Sequence, residues 1–467
     1  MSHAKKPKMN LAEKRIQALN TKAVAKGDYV LYWMQQSQRA EHNPALDLAI
    51  GEANRLKLPV VVVFALTDAY PDANWRHYRF MLEGLQDAQK GLRHKGIRLV
   101  VRLGDPPAVA LDLGRRAALI VCDVGYTRHQ RRWRRSITKG AACRAVQVEG
   151  DVVVPVGVVS DKAEYAARTI RPRIQRHMEA YLTLPGAVRP RVASLDLDVD
   201  SIDLGDIDGG LDRLAVDRDV QPVSQFFEGG TTAAKKRLKL FIDNRLARYD
   251  AHRNQPQTDD TSTMSPYLHF GQISPVYLAL RVRDAGTGQD ADRDGYLEEL
   301  LVRRELAVNF VHYTADYDRY GCLPAWARQS LAAQSSDPRE HLYSRAELEA
   351  AQTHDPYWNA AMLEMKHTGY MHNYMRMYWG KKILEWSKRP ETAFETTLAI
   401  NNKYFLDGRD PNSYAGVAWI FGKHDRAWFQ RPIFGKVRTM TAGGLERKCD
   451  IDGYVAKVGR LVRHDTI

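Results

Sequence analysis

Pro59-Val60-Val61-Val62-Val63-Phe64-Ala65-Leu66 is an uninterrupted apolar run, too short to cross a membrane and dominated by β-branched side chains. Such a run predicts a buried strand. Comparable runs occupy Tyr29–Met34, Ile97–Leu103, Leu119–Val124 and Ala145–Val148. Helical patterns lie between them at Pro44–Leu56, Arg76–Lys95, Pro107–Ala117 and, strongly basic, Arg128–Lys139. Strands separated by single helices pair in parallel through right-handed crossovers. Residues 1–190 are therefore expected to form a doubly wound, Rossmann-like α/β domain. No GxGxxG follows the first strand, so nothing identifies a ligand at the carboxyl ends of the strands.

From Ser194 the composition changes. Nine aspartates fall between Asp196 and Asp219 among scattered glycines, and their spacing matches no EF-hand loop. Residues 191–228 are read as a solvated acidic linker. Beyond Gly229-Gly230 the pattern is helical: Thr232–Tyr249, Pro275–Arg283, Tyr296–Tyr313, Arg345–Ala351, Asp355–Thr368, Tyr370–Ser387 and Glu391–Asn401. Residues 229–467 are expected to form an all-α domain.

A chain of 467 residues with 44% hydrophobic and 27% charged content suits a multidomain globular protein. Its 69 Lys and Arg against 56 Asp and Glu leave +13, a field that favours polyanions, nucleic acid first. The cysteines Cys122, Cys143, Cys322 and Cys449 form no CxxC pair, which argues against a metal site or a disulfide framework and for a reducing compartment. Met1–Arg15 is basic without an apolar core and reads as a tail, not a secretory signal. The expected setting is the cytoplasm of a prokaryote or the nucleus of a eukaryote, as a monomer off the membrane.

Chemistry concentrates in the second half. Thr261-Ser262-Thr263-Met264-Ser265-Pro266 sets four hydroxyls before an apolar turn, a junction that suits a diphosphate, although N-capping accounts for it when taken alone. Glu299 and Arg303 are one helical turn apart, and simple ion pairing accounts for them; a cavity-facing acid at Glu299 could instead meet a base edge. Asp355–Trp428 holds five of the nine tryptophans, Trp358, Trp379, Trp386, Trp419 and Trp428, among Met, Tyr, His and Arg. Core packing explains any one of them. Together they fit a flat redox cofactor beside nucleic acid, where rings stack and relay electrons.

Ser265–Pro275, Glu298–Tyr313, Thr353–Trp386 and Asn401–Lys436 resemble the class II cyclobutane pyrimidine dimer photolyases of the cryptochrome–photolyase family. The most specific runs are Met371-His372-Asn373-Tyr374-Met375-Arg376-Met377-Tyr378-Trp379, continuing to Trp386, then Asp407-Gly408-Arg409-Asp410-Pro411-Asn412 and His424-Asp425-Arg426-Ala427-Trp428. Tyr32-Trp33-Met34-Gln35, Arg39 and Asn43-Pro44-Ala45-Leu46 are similar too. One departure is Ser413, where the class usually has Gly before Tyr.

The resemblance implies a U-shaped FAD in the helical domain and light-driven splitting of dimers in UV-damaged DNA. Tyr249, Thr261, Ser262, Thr263, Met264, Ser265 and Gln272 match positions around the adenosine and diphosphate. Arg376, Asp407 and Arg409 match the flavin side, with Arg376 and Asp407 expected to pair, and Asn401 is expected at the flavin N5–O4 edge. Glu299, Met377 and Trp419 would line the pocket for the flipped dimer, and Trp379, Trp358 and Trp386 would carry electrons from flavin to surface. Asn373, Arg426, Trp428, Arg431, Lys436 and Arg438 are expected to face DNA. An antenna pigment, deazaflavin or folate, is compatible with the first domain. The alternative is a cryptochrome-type blue-light receptor without repair; it usually carries a tail, and with Gly453–Val462 read as the last helix the expectation is against it.

Overall fold

The protein is described here by a computed structural model covering residues 13–464. Of the basic tail expected over Met1–Arg15, residues 1–12 lie outside the described residues. Ile16–Ala18 (β1), Tyr29–Trp33 (β2), Val60–Leu66 (β3), Arg98–Leu103 (β4), Ala117–Asp123 (β5) and Arg144–Val148 (β6) form one sheet in the order β1-β6-β5-β2-β3-β4. Every pairing is parallel except that of β1 with β6. The apolar run behaves as a doubly covered strand must. Val60, Val62 and Phe64 pack with the helices Pro44–Leu56 and Trp75–His94, while Val61 and Val63 pack with Pro106–Gly114 and Arg128–Gly140. Strand order reverses at β2, which places a topological switch point at the carboxyl ends of β2, β3 and β5.

Two segments depart from expectation. Arg15, read as tail, is buried, and its guanidinium donates to the carbonyls of Glu149 (3.0 Å), Val152 (3.0 Å) and Val153 (2.5 Å). The β1 strand that follows is three residues long and mostly exposed, so it has no periodicity to read. The acidic stretch is not a solvated spacer. Ser194 Oγ accepts the Arg98 amide, Ser201 Oγ accepts the Val101 amide, and the Ile202 amide donates to the Val101 carbonyl at 2.8 Å. Leu204, Leu211 and Leu214 enter the core beneath. The aspartates point outward from a strap that closes the free edge of β4.

The helical half contains Pro275–Arg283 as expected and, with shifted ends, Thr231–Asn244, Arg345–Glu349, Pro356–Thr368, Asn373–Glu385, Pro390–Tyr404 and a final Ile451–His464. Ala167–Tyr181, Ala325–Ala333 and Pro411–Ile420 were not anticipated. The helix expected over Tyr296–Tyr313 is irregular: Asp290–Leu297 passes through a π-helical turn, Glu298–Arg303, into Arg304–Tyr313. Asn373–Glu385 starts later than its apolar pattern because the His372 ring accepts the Tyr374 amide as its cap.

Two buried arginines of the sheet half join the two halves. Arg39 donates to the Gly271 carbonyl (2.9 Å) and the Gly150 carbonyl (3.1 Å). Gly271 has φ +63, and a Cβ there would sit 1.7 Å from the Gln36 carbonyl oxygen, so no other residue fits this crossing. Arg76, in the first turn of Trp75–His94, reaches the carbonyls of Tyr404 (2.8 Å), Met365 (3.2 Å), Lys366 and Gln221 (2.8 Å). Three of those carbonyls lie in the last turns of Pro356–Thr368 and Pro390–Tyr404, where helix dipoles favour a cation. Arg76→Ala should destabilise the protein by ~3 kcal/mol in denaturant unfolding, because the abandoned carbonyls have no water to turn to.

Candidate functional site

A cavity of about 690 Å³ opens in the helical half, within the range of small-molecule sites. One wall is the segment Thr261, Ser262, Thr263, Met264 and Ser265, flanked by Tyr249 and Tyr296, whose rings meet edge to face at 5.3 Å. Thr263 adopts φ +52, and its hydroxyl receives Arg237 Nη1 at 2.8 Å while donating to the Ser262 carbonyl. A threonine held in the left-handed region is strained, and its fixed environment pays for that.

The facing wall comes from Asn373–Glu385. Asn373, Arg376 and Met377, at i, i+3 and i+4, share one face with Trp379 close by, and all four line the cavity. Arg376 Nη1 donates to Asp407 Oδ1 at 2.9 Å and its Nε to the Met371 carbonyl at 3.0 Å. Its Cζ lies 3.9 Å from the centroid of the Phe405 ring. Asn401 completes this side. Both its N–H donors are used, on Asn402 Oδ1 (3.0 Å) and Ser413 Oγ (2.6 Å), so Oδ1 is what it can offer a ligand. Ser413, the departure from the class pattern, sits within the helix Pro411–Ile420 without a positive φ, and its hydroxyl holds the Asn401 amide.

Glu299 projects from the π-helical turn into the same cavity. The pairing with Arg303 is corrected: Glu299 Oε1 meets Arg253 Nη2 at 2.7 Å, and Arg303 goes to Glu298 at 3.2 Å. Arg253 stands 46 residues away, so nothing in the local spacing signals it. Behind Trp379, the Trp358 ring stacks at 6.5 Å and the Trp386 ring meets Trp358 edge-on at 5.6 Å. Trp386 is only 3% exposed, so the tryptophans by themselves do not reach the surface.

Two other expected contacts lie elsewhere. Gln272 is off the cavity wall, fully buried, with Oε1 accepting the Gly230 amide (2.7 Å) and Nε2 donating to the Phe80 carbonyl. Arg409 adopts φ +67, which turns it away from its neighbour Asp410 and into a second cavity at the switch point, lined also by Gln35, Gln36, Thr67, Tyr126 and Trp133. This cavity is about 90 Å³, narrowed by the rings of Tyr70 and Trp133, which meet edge to face with His129 packed against both. At that size it does not admit a tricyclic pigment.

A third cavity, about 270 Å³, shares Met377, Trp419 and Arg438 with the first and is rimmed by Arg431, Arg447 and Lys448. Beside it a tight turn joins Arg431 and Gly435. Arg426 and Arg438 place their Cζ atoms 4.9 and 4.8 Å from the Trp428 ring centroid. Phe429, missed in the sequence, is 91% exposed next to them. Among the described residues no cluster of His, Cys, Asp and Glu is arranged to hold a metal.

The large cavity fits the expected FAD. It combines a hydroxyl-rich wall, a fixed guanidinium–carboxylate pair and an acceptor at Asn401, and the buried Trp379 indole N–H has no partner in the protein.

A family model described as DNA photolyase matches residues 30–191. A deoxyribodipyrimidine photo-lyase of Methanothermobacter thermautotrophicus is 48% identical over 438 residues, 94% of this chain and 96% of that protein. The protein of the same name from Arabidopsis thaliana is 39% identical, covering 93% of this chain and 89% of its own. In fold, the chain is similar to a class III photolyase from Agrobacterium tumefaciens (TM-score 0.74, 19% identity, covering 94% of this chain and 87% of that one). It is similar also to a Synechocystis cryptochrome (TM-score 0.68, 17% identity, covering 93% and 88%).

Beneath Trp419 lies Lys381, fully buried, its Nζ donating to the Ile420 carbonyl and 5.2 Å from the Trp419 centroid. Burial pushes its ammonium down to about 7, with Asp425 opposing and Arg438 reinforcing the shift. Between that value and the ~10.4 of a free lysine, the folded chain binds fewer protons than the unfolded one. Stability should therefore rise with pH across this window, by up to ~1.4 kcal/mol per unit. Lys381→Met should flatten the rise in denaturant titrations run at several pH values.

Proposed function

The chain belongs to the deoxyribodipyrimidine photo-lyase family, and from that premise we propose a light-driven, FAD-dependent repair enzyme of class II acting on cyclobutane pyrimidine dimers. The observation that carries this reading is a shared wall. Glu299, Met377 and Trp419 line the same cavity as Thr261–Ser265, Arg376, Asp407 and Asn401, and that cavity adjoins one rimmed by cations. The class assignment is supported by the run Met371–Trp386 and by the succession Trp379, Trp358, Trp386 across two helices.

FAD held there in its reduced form would supply the light-driven one-electron chemistry that opens the cyclobutane ring. The side chains do the rest. A dimer reaches the cavity only by leaving the stack, at a cost of a few kcal/mol in base-flipping enzymes, a class in which photolyases are already counted. Met377 and Trp419 would pack against its apolar faces. Glu299, kept in place by Arg253, would hydrogen-bond its polar edge. Asn401 Oδ1 would accept an N–H at the edge of the isoalloxazine ring, with Ser413 fixing the amide. The Arg376–Asp407 pair would set a fixed dipole beside that ring. Trp379, Trp358 and Trp386 would deliver the resting electron without entering the repair cycle. Arg426, Arg431, Lys436 and Arg438 would hold phosphates, while Asn373, Trp428 and the exposed Phe429 would meet bases around the opened step. A deazaflavin or folate antenna has a place at the switch point only if Tyr70, His129 and Trp133 move aside.

The decisive experiment is light-dependent repair of dimer-containing DNA by the purified, FAD-loaded chain. Flavin absorption without repair would favour the cryptochrome reading. Glu299→Gln should keep FAD bound and lower the number of dimers repaired per absorbed photon; unchanged single-turnover yield would remove Glu299 from the pocket. Arg431→Ala with Lys436→Ala should make log affinity against log salt less steep by about 1–2, each duplex phosphate contributing ~0.9. Trp419→Ala should instead weaken damaged DNA selectively.

A further inference from the structure

The tryptophan series ends on a buried ring, and what covers that ring is itself redox-capable. Trp386 is 3% exposed. Over it lies the irregular segment containing Tyr343, whose amide faces the Trp386 carbonyl at 3.4 Å. The Tyr343 ring meets Trp386 edge-on at 5.3 Å, and the His354 ring does so at 5.2 Å. Tyr343 and His354 are near parallel at 6.0 Å, and His341 stacks on the outer face of His354 at 3.6 Å. Tyr343 is half-buried and His354 exposed.

The hydrogen bonding of Tyr343 has a direction. Its oxygen accepts the backbone N–H of His354 at 2.9 Å, and the same oxygen lies 2.7 Å from His354 Nδ1. With a lone pair engaged by the amide, the phenolic proton is the one that lies toward Nδ1. Nδ1 is then the acceptor, and the other ring nitrogen carries the hydrogen of neutral imidazole. Partial burial and the neighbouring His341 push the His354 imidazole down, which keeps it in the neutral, proton-accepting form. The Lys382 ammonium stands 5.7 Å from the Trp386 centroid and raises the cost of a positive hole there, partly offset by its own partner Glu385 at 2.9 Å.

We propose that Tyr343, with His354 as its proton acceptor, is the outermost redox residue of this chain: it returns an electron to oxidised Trp386 and becomes a neutral tyrosyl radical. The inference rests on the electron-relay reading of Trp379, Trp358 and Trp386 given above. The step balances. The Trp386 radical cation gains one electron from the phenol, the phenolic O–H bond breaks, and its proton forms the new N–H bond at His354 Nδ1, whence it passes to water. A soluble thiol then restores the phenol by giving up a hydrogen atom. The overall gain is separation: charge leaves the buried ring, and the remaining radical sits where solvent reductants can reach it.

The test is electron paramagnetic resonance and transient absorption of the FAD-loaded protein after a flash on its oxidised form, without DNA. The long-lived protein radical should be tyrosyl. Tyr343→Phe should replace it with a tryptophanyl radical that recombines several-fold faster, and His354→Asn, which offers no base, should do the same with Tyr343 in place. Trp386→Phe should abolish the tyrosyl signal. A long-lived signal that is tryptophanyl in the unaltered protein, or tyrosyl still in Tyr343→Phe, would overturn the proposal while leaving the relay intact. If Trp379→Phe photoreduces as fast as the unaltered protein, the relay reading itself falls, and this proposal falls with it.

Discussion

A buried guanidinium, without a carboxylate partner among the described residues, ties the two halves of this molecule together. Arg76 belongs to the sheet half, yet its donors end on carbonyls at the C-termini of the helices that carry Trp358 and Asn401. Burial lowers its basicity to about 10, still high enough to keep the charge at neutral pH. A charged group in that place is stabilised by two helix dipoles and by the Gln221 carbonyl. Because one of those helices carries Asn401 on the cavity wall and the other carries Trp358, both are positioned in part by an ion lodged some way off. Arg39 and Gly271 repeat the device at a second point, where backbone approaches backbone too closely for any side chain.

The loop Asp407-Gly408-Arg409-Asp410 acts as a partition. Asp407 and Asp410 line the large cavity, whereas Arg409 lines the cavity at the switch point. The left-handed conformation of Arg409 is what sends adjacent side chains to opposite sides. A motif that reads as one binding element thus serves two compartments.

Where a segment is governed by its own periodicity, it was legible. The buried strand β3 and the amphipathic helices between strands follow from spacing, whereas Asn373, Arg376 and Met377 were reached through the resemblance of the run Met371–Trp386. Legibility failed where the determining partner is distant. Arg253 reaches Glu299 from the turn after a short helix 46 residues back; Gln272 looks like part of the hydroxyl-rich segment but is consumed by Gly230 and Phe80. The β1 strand is too short for a pattern, and the π-helical turn at Glu298–Arg303 has no residue that announces it. The acidic stretch misled because its composition is that of a spacer, while three leucines spread along it do the anchoring.

That strap has an effect on how the molecule meets a long polyanion. It concentrates nine aspartates along one margin of the sheet, in a chain that is otherwise strongly cationic. Within a Debye length, ~8 Å at physiological ionic strength, these carboxylates repel any polyanion that approaches this margin. The same strap that closes the sheet therefore gives that margin a sign opposite to the net charge of the whole chain.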